Sequence, residues 1–86
     1  MEPTETRVAL LSIIVNDRNQ TEELNRLLHA YQDYIIGRMG VPYPAKGISI
    51  ISIAVDAPQD TISALSGKVG KLPGVSSKTA YAGVKK

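Results

Sequence analysis

Two stretches of the chain are dense in β-branched and aliphatic residues but are too short for confident helices. They are residues 7–16, RVALLSIIVN, and residues 47–56, GISIISIAVD, and both are predicted to form strands. A weaker strand is predicted over residues 34–43, where two glycines favour a sheet edge or a bulge. In residues 75–82, VSSKTAYA, the residues Val75, Ser77, Thr79 and Tyr81 alternate with smaller or charged ones, as expected of a half-buried final strand.

Helical spacing marks the two segments between these strands. Asn19, with Glu22 three residues later, fits a capping box at the start of the first helix. Pro58 suits the first turn of the second helix, and the Leu-Pro-Gly sequence at 72–74 is predicted to end it. One apolar face follows in each case: Leu24, Leu27, Leu28, Tyr31 and Ile35 in the first, and Ile62, Leu65, Val69 and Leu72 in the second.

The predicted order is therefore β-α-β-β-α-β. It forms a single domain over residues 7–82, between a flexible segment at 1–6 and a tail at 83–86. Right-handed crossovers are expected to place the first and third strands side by side, running in parallel, at the centre of a four-stranded sheet. Two helices then cover one face of that sheet. The fold class is α+β, a ferredoxin-like sandwich with a four-stranded antiparallel sheet.

The two central strands are apolar on both of their faces. One face carries Val8, Leu10, Ile14, Ile48, Ile50 and Ala54, and the other carries Ala9, Leu11, Ile13, Val15, Ile51, Ile53 and Val55. The helices can bury only one face, and an apolar patch left open to water usually marks an interface. We therefore expect a homo-oligomer, a dimer or a tetramer, formed by sheet-to-sheet packing or by an extended shared sheet. The alternative is that the chain's own short loops cover the second face.

Composition excludes several classes of protein. The chain has 86 residues, a net charge of +2, one histidine and no cysteine. It therefore lacks the disulfides of a secreted scaffold and the ligands of a structural zinc site, and its charge is too small for a DNA-binding footprint. The start, MEPTETR, is unlike a signal peptide, and the longest apolar run is too short to span a bilayer. A soluble, cytoplasmic protein is predicted, with no membrane partner.

The sequence GKVGKLPGV at residues 67–75 has the composition of a phosphate-binding loop. Such a loop precedes a helix, whereas these glycines lie at the end of the second helix or past it. Their spacing also matches neither the Walker pattern nor G-x-G-x-x-G. The favoured interpretation is close helix packing at Gly67 and Gly70, followed by a turn into the last strand.

The candidate ligand-binding residues are Asp17, Arg18 and Asn19, in the turn before the first helix. Helix N-termini bind anions and carboxylates, and the Arg18 guanidinium would add a bidentate donor. The alternative interpretation of the same three residues is ordinary turn and N-cap chemistry.

The other polar residues suggest no catalytic site. His29, with Asp33 one turn further along, is interpreted as a surface or interface residue hydrogen-bonded to that carboxylate; metal binding by copies from several subunits is the alternative. Arg38, Tyr43 and Lys46 flank the middle loop and are candidates for lining a pocket between subunits. No histidine is placed to activate a strand serine and no carboxylate pair suggests acid–base catalysis, so neither an enzyme nor a cofactor is expected.

Three segments carry a resemblance to a known family. They are VNDRNQTEELNRLLHAY, the RMGVPY sequence within IIGRMGVPY, and the run D-x-I-x-A-L-x-G-K-x-G-x-L-P-G-V from Asp60 to Val75. Over about residues 7–82 the chain resembles the small regulators called iron-only hydrogenase system regulators. That family is similar to ACT domains and to the C-terminal, metal-sensing domain of nickel-responsive repressors, which are ferredoxin-like and oligomeric.

The resemblance implies a non-enzymatic module linked to transcriptional regulation of an iron-only hydrogenase system. Nickel-responsive repressors bind metal through several histidines and a cysteine, and DNA through a ribbon-helix-helix segment. With one histidine, no cysteine and about six residues before the first strand, this chain is not expected to share either site. ACT domains often carry Asp-Arg-Pro-Gly where this chain has Asp-Arg-Asn-Gln at 17–20, which implies a small-ligand site there.

Two functions are therefore weighed. The leading one is an oligomeric ACT-like regulatory domain that senses a small ligand at a subunit interface near residues 16–20. The alternative is a structural module that recruits a protein partner through its sheet surface, without a ligand.

Overall fold

The predicted β-α-β-β-α-β order is present in the structure, a computed structural model that describes residues 5–83. The strands are β1 (Arg7–Val15), β2 (Ile35–Tyr43), β3 (Ile48–Ala57) and β4 (Val75–Tyr81), and the helices are α1 (Thr21–Ala30) and α2 (Gln59–Gly70). Short 3-10 turns occupy Arg18–Gln20, Gln32–Tyr34 and Pro44–Lys46. Residues 1–4 of the predicted flexible segment and 84–86 of the predicted tail lie outside the described residues.

The four strands form one sheet in the order β2-β3-β1-β4, and every neighbouring pair is antiparallel. This topology confirms the ferredoxin-like α+β fold and the central position of β1 and β3. The predicted parallel direction of β1 and β3 is wrong. Only four residues, 44–47, link β2 to β3, and a link this short joins antiparallel neighbours. Because the α1 crossover makes β1 and β2 run the same way, β3 must run against both.

The hydrophobic core lies between the helices and one face of the sheet. All of its members are at most 6% exposed: Ala9, Leu11, Ile13, Val15, Leu24, Leu28, Ile51, Ile53, Val55, Ala57, Ile62, Leu65 and Val69. The alternating burial along β1 and β3 follows from the two-residue period of a strand, which sends successive side chains to opposite faces. In residues 5–83, neither helix has the length and the hydropathy required to cross a membrane.

Two details of the first helix differ from the sequence prediction. The helix ends at Ala30, and Ile35 is the first residue of β2, so Ile35 packs against the core from the sheet. Asn19 does not cap α1, because it lies inside the 3-10 turn that precedes the helix. The capping side chain of that turn is Asp17, whose carboxylate accepts a hydrogen bond from the Asn19 N–H.

The edge strand β2 is the least covered part of the sheet. The register of its pairing with β3 shifts between Ile35 and Gly37, which confirms the predicted bulge and edge position. Every residue of β2 after Ile35 is exposed, so this strand is open to solvent on both faces. The exposure of β2 leaves room for a ligand or a partner beside α1.

The glycines of residues 67–75 have a different role from the predicted one. An added Cβ at Gly67 or Gly70 would meet no atom within 4 Å, so close helix packing does not explain either glycine. The required glycine is Gly74, which has a φ of 70° in the turn into β4. A Cβ there would lie 2.6 Å from the Cβ of Asp17. The turn after α2 is thus held tightly against the turn after β1.

Candidate functional site

Local hydrogen bonds stabilise the turn that contains Asp17, Arg18 and Asn19. The Asn19 N–H donates to Oδ1 of Asp17 over 3.0 Å, and the Gln20 N–H donates to the Asp17 carbonyl oxygen over 2.9 Å. The neighbouring Asn16 N–H donates to the Gly74 carbonyl oxygen over 2.7 Å. Asp17 therefore has a structural role in the turn, and the Arg18 side chain next to it is exposed.

We expect Asp17→Ala to lower the free energy of unfolding by about 1 kcal/mol, because it removes the side-chain acceptor that caps the turn. Chemical denaturation followed by circular dichroism measures this change. Asp17→Asn keeps an acceptor oxygen and serves as the control, with an expected change within about 0.5 kcal/mol. Equal losses in both variants would show that the carboxylate charge, and not the cap, stabilises the turn.

Arg18 lines a cavity of about 320 Å³ between the start of α1 and the β2–β3 hairpin. Thr21 lies on the helix side of this cavity, and Tyr43, Ile48 and Ser49 lie on the hairpin side. The structure therefore brings Arg18 together with Tyr43, two residues that the sequence analysis placed in separate clusters. Lys46 is outside this lining, although Pro44 of the same 3-10 turn and Gly47 after it belong to it.

Arg38 and His29 lie further along the same side of α1, in a second cavity of about 310 Å³. Nη2 of Arg38 donates to Oδ1 of Asn25 over 3.2 Å. The exposed imidazole of His29 has Nε2 at 3.5 Å from Nε2 of Gln32, so Gln32 and not Asp33 is its hydrogen-bond partner in the structure. Within residues 5–83, no group of three or more His, Cys, Asp or Glu side chains is placed to hold a metal ion.

The sheet face opposite the helices is open and largely apolar. Its large exposed side chains are between 38% and 55% accessible: Val8, Leu10, Ile14, Met39, Val41, Tyr43 and Ile50. A polar row crosses the middle of this face on β3, β1 and β4, because Ser52 pairs with Ser12 and Ser12 pairs with Lys78. The prediction that β1 and β3 carry a second apolar face is thereby confirmed at the level of side-chain exposure.

Polar residues of α1 that line the cavities were missed by the sequence analysis. Thr21 and Asn25 are spaced four apart, which places both on one side of α1, and Gln32 lies in the 3-10 turn that follows the helix. This polar stripe borders the buried stripe of Leu24 and Leu28. The spacing was a usable signal, but nothing in the sequence indicated that β2 would leave this stripe uncovered.

Together these features define the class of protein. It is a small ferredoxin-like domain with an open apolar sheet face and a polar, arginine-lined cavity where β1 leads into α1. Residues 7–79 match the sequence profile of the TM1266-like family. The proteins of this family are described as iron-only hydrogenase system regulators, and this role is itself a proposed one. The chain belongs to this family.

A solved structure supports the same relationship. The chain is similar to uncharacterized protein TM1266 from Thermotoga maritima, with 36% sequence identity and a TM-score of 0.86. The match covers 90% of this chain and 98% of the other. A comparison with curated proteins found no match.

Proposed function

We propose that this protein is a non-enzymatic, cytoplasmic, ACT-like regulatory domain that self-associates and senses a small ligand. Its regulatory target in this proposal is the transcription of an iron-only hydrogenase system. Family membership supports the regulatory role and its target. The open sheet face supports self-association, and the cavity beside Arg18 supports ligand binding.

The size of the open face supports a second copy of the chain as its occupant. A strand of nine residues is about 30 Å long, and four strands are about 19 Å wide, which gives a projected area of about 600 Å² per protomer. Corrugated side-chain surface exceeds its projection. The face therefore approaches the roughly 800 Å² per partner that stable interfaces bury.

The pattern of the open face also suits a two-fold interface, in which one patch must complement itself. Apolar side chains lie on both sides of the polar row formed by Ser52, Ser12 and Lys78. A two-fold axis along that row would place the pair Ile14–Ile50 on the pair Leu10–Ala54 and serine on serine. Lys78 lies on the edge strand β4, where its ammonium reaches water.

The cavity beside Arg18 supports ligand binding because it combines a charged donor with polar and apolar contacts. The Arg18 guanidinium can form paired hydrogen bonds with a carboxylate, and Thr21 and Ser49 add hydroxyl groups. Tyr43 and Ile48 offer surface to an apolar group. Its volume of about 320 Å³ falls in the range of small-molecule sites.

Native mass spectrometry of the purified protein tests both parts of this proposal. We expect a mass that is a multiple of the 9.2 kDa chain, and additional mass when a binding metabolite is retained or added. The same spectrum reports self-association and ligand binding separately, because the number of chains and the added mass are read independently. A monomer that binds no added metabolite at millimolar concentration would contradict the proposal.

The exposed apolar face also fits the alternative function, a module that recruits a different protein without a ligand. Self-association and recruitment make opposite predictions for the free protein. A recruiting module remains a monomer at about 10 µM and forms a hetero-complex only with its partner, whereas the proposed regulator is already oligomeric. Sedimentation velocity at that concentration distinguishes the two.

A further inference from the structure

A continuous groove runs between α1 and β2. It consists of the cavity beside Arg18, the cavity beside His29, and a third of about 230 Å³ between them. Thr21 lines both the first and the middle cavity, and Asn25 and Arg38 line both the middle cavity and the one beside His29. These shared linings join the three cavities into one groove.

The groove exists because β2 offers α1 little apolar surface. Arg38 pairs with Ile53 and Gly40 pairs with Ile51, and both isoleucines face the helices. Paired residues share a face, so the helix side of β2 carries a guanidinium and a glycine at these two positions. The buried stripe of α1 therefore packs elsewhere on the sheet. Gly40 and Pro42 are left at the wall of an uncovered channel.

This groove contains two arginines, one histidine and several neutral polar side chains among apolar ones. Arg18 lines one end, Arg38 the middle and His29 the other end. Among the described residues that line the three cavities, none carries a carboxylate. In α1, the carboxylate of Glu23 is paired with Arg26 at 2.6 Å, outside this lining.

The Arg38 side chain is positioned for recognition of an anion. Its Nη2 donates to Oδ1 of Asn25, which holds the guanidinium at the boundary between two cavities. A guanidinium has five N–H donors, and a planar pair of them matches a carboxylate or phosphate group. A ligand anion at this point would also meet the Asn25 amide.

We propose that the groove binds a small organic molecule with two anionic groups, carboxylates or phosphates, one at Arg38 and the other towards Arg18. The cavities at the two ends of the groove, of about 320 and 310 Å³, have the volumes of small-molecule sites, and two arginines along one channel suit two separated negative charges. This inference rests on the proposed ligand-sensing function and specifies the chemical class of its ligand. It also moves the main charged contact from the 16–20 turn to Arg38.

The test is an NMR titration of the ¹⁵N-labelled full chain with citrate and, separately, with inorganic pyrophosphate. We expect saturable shifts at the amides of Thr21, Asn25 and Gly40 and at Nε of Arg38. Arg38→Gln should weaken binding at least about tenfold, because it removes a charged bidentate donor. Arg26→Gln removes the same charge from the same surface outside the groove and is expected to change the affinity less than about twofold.

The two probes distinguish a carboxylate ligand from a phosphate ligand, because the one whose groups fit should saturate at lower concentration. Shifts absent up to about 10 mM of both probes, or shifts reduced equally by Arg38→Gln and Arg26→Gln, would overturn the groove proposal. Retained metabolite mass with no shift in the groove would overturn this inference alone and leave ligand sensing intact. Groove binding by a protein that stays monomeric would instead contradict the proposed self-association.

Discussion

Replacement of Gly74 by alanine is expected to lower the free energy of unfolding by about 2–5 kcal/mol. The backbone at Gly74 has a φ of 70°, which costs a residue with a Cβ about 1–2 kcal/mol. The new Cβ would also lie 2.6 Å from the Cβ of Asp17, and relief of such overlap costs typically 1–3 kcal/mol more. Chemical denaturation at fixed protein concentration measures the loss.

A second glycine provides a matched control for this prediction. Gly47 has nearly the same φ, 67°, but a Cβ there would meet no atom within 4 Å. Gly47→Ala should therefore show the backbone cost alone, about 1–2 kcal/mol. Equal losses at the two positions would mean that the contact with Asp17 relaxes freely. In that case the hydrogen bond from the Asn16 N–H to the Gly74 carbonyl oxygen, and not the side-chain contact, would hold the two turns together.

Ile14→Glu is expected to convert the proposed oligomer to a monomer while the fold remains intact. Ile14 is 41% exposed on the open sheet face and pairs with Ile50 on β3 and Ser76 on β4. A glutamate in a face-to-face contact would have to lose its hydration, and an unpaired buried carboxylate costs several kcal/mol. In the monomer the same carboxylate remains in water, so the free chain accepts it. Sedimentation velocity measures the dissociation, and circular dichroism measures whether the fold is retained.

Ala64→Glu is the control for this substitution, because Ala64 is exposed on α2, away from the sheet face. It adds the same charge and should leave the oligomer unchanged. If Ile14→Glu leaves the mass of the assembly unchanged, self-association does not use the open face, and a shared sheet through an edge strand becomes the better explanation. If both variants dissociate, net charge rather than the face controls assembly.

Much of the fold could be predicted from local sequence pattern. The alternation of apolar residues along β1 assigned Leu11 to one face and Leu10 to the other, and the structure exposes only the second. That prediction succeeded because the period of a strand is a local geometric property. The end of α1 was predicted less well. The helical spacing of apolar residues in the sequence continues to Ile35, but in the structure the 3-10 turn at Gln32–Tyr34 interrupts the helix before that residue.

The candidate site was only partly predictable. The Asp-Arg-Asn turn was recognised as a polar turn next to a helix, and Arg18 does line a cavity. Arg38 contacts Asn25 across thirteen residues, and no local pattern relates them. The glycine run shows the same limit, because the need for Gly74 comes from Asp17, which is far away in the sequence.

The sequence by itself determined the order of elements, the buried stripe of each helix and the apolar character of both sheet faces. These properties depend on side-chain period and on residues close together in the chain. Only the tertiary structure decided the contact of Gly74 with Asp17 and the groove beside β2. Each of these depends on which elements become neighbours after folding, and no local sequence pattern shows that the helices leave β2 uncovered.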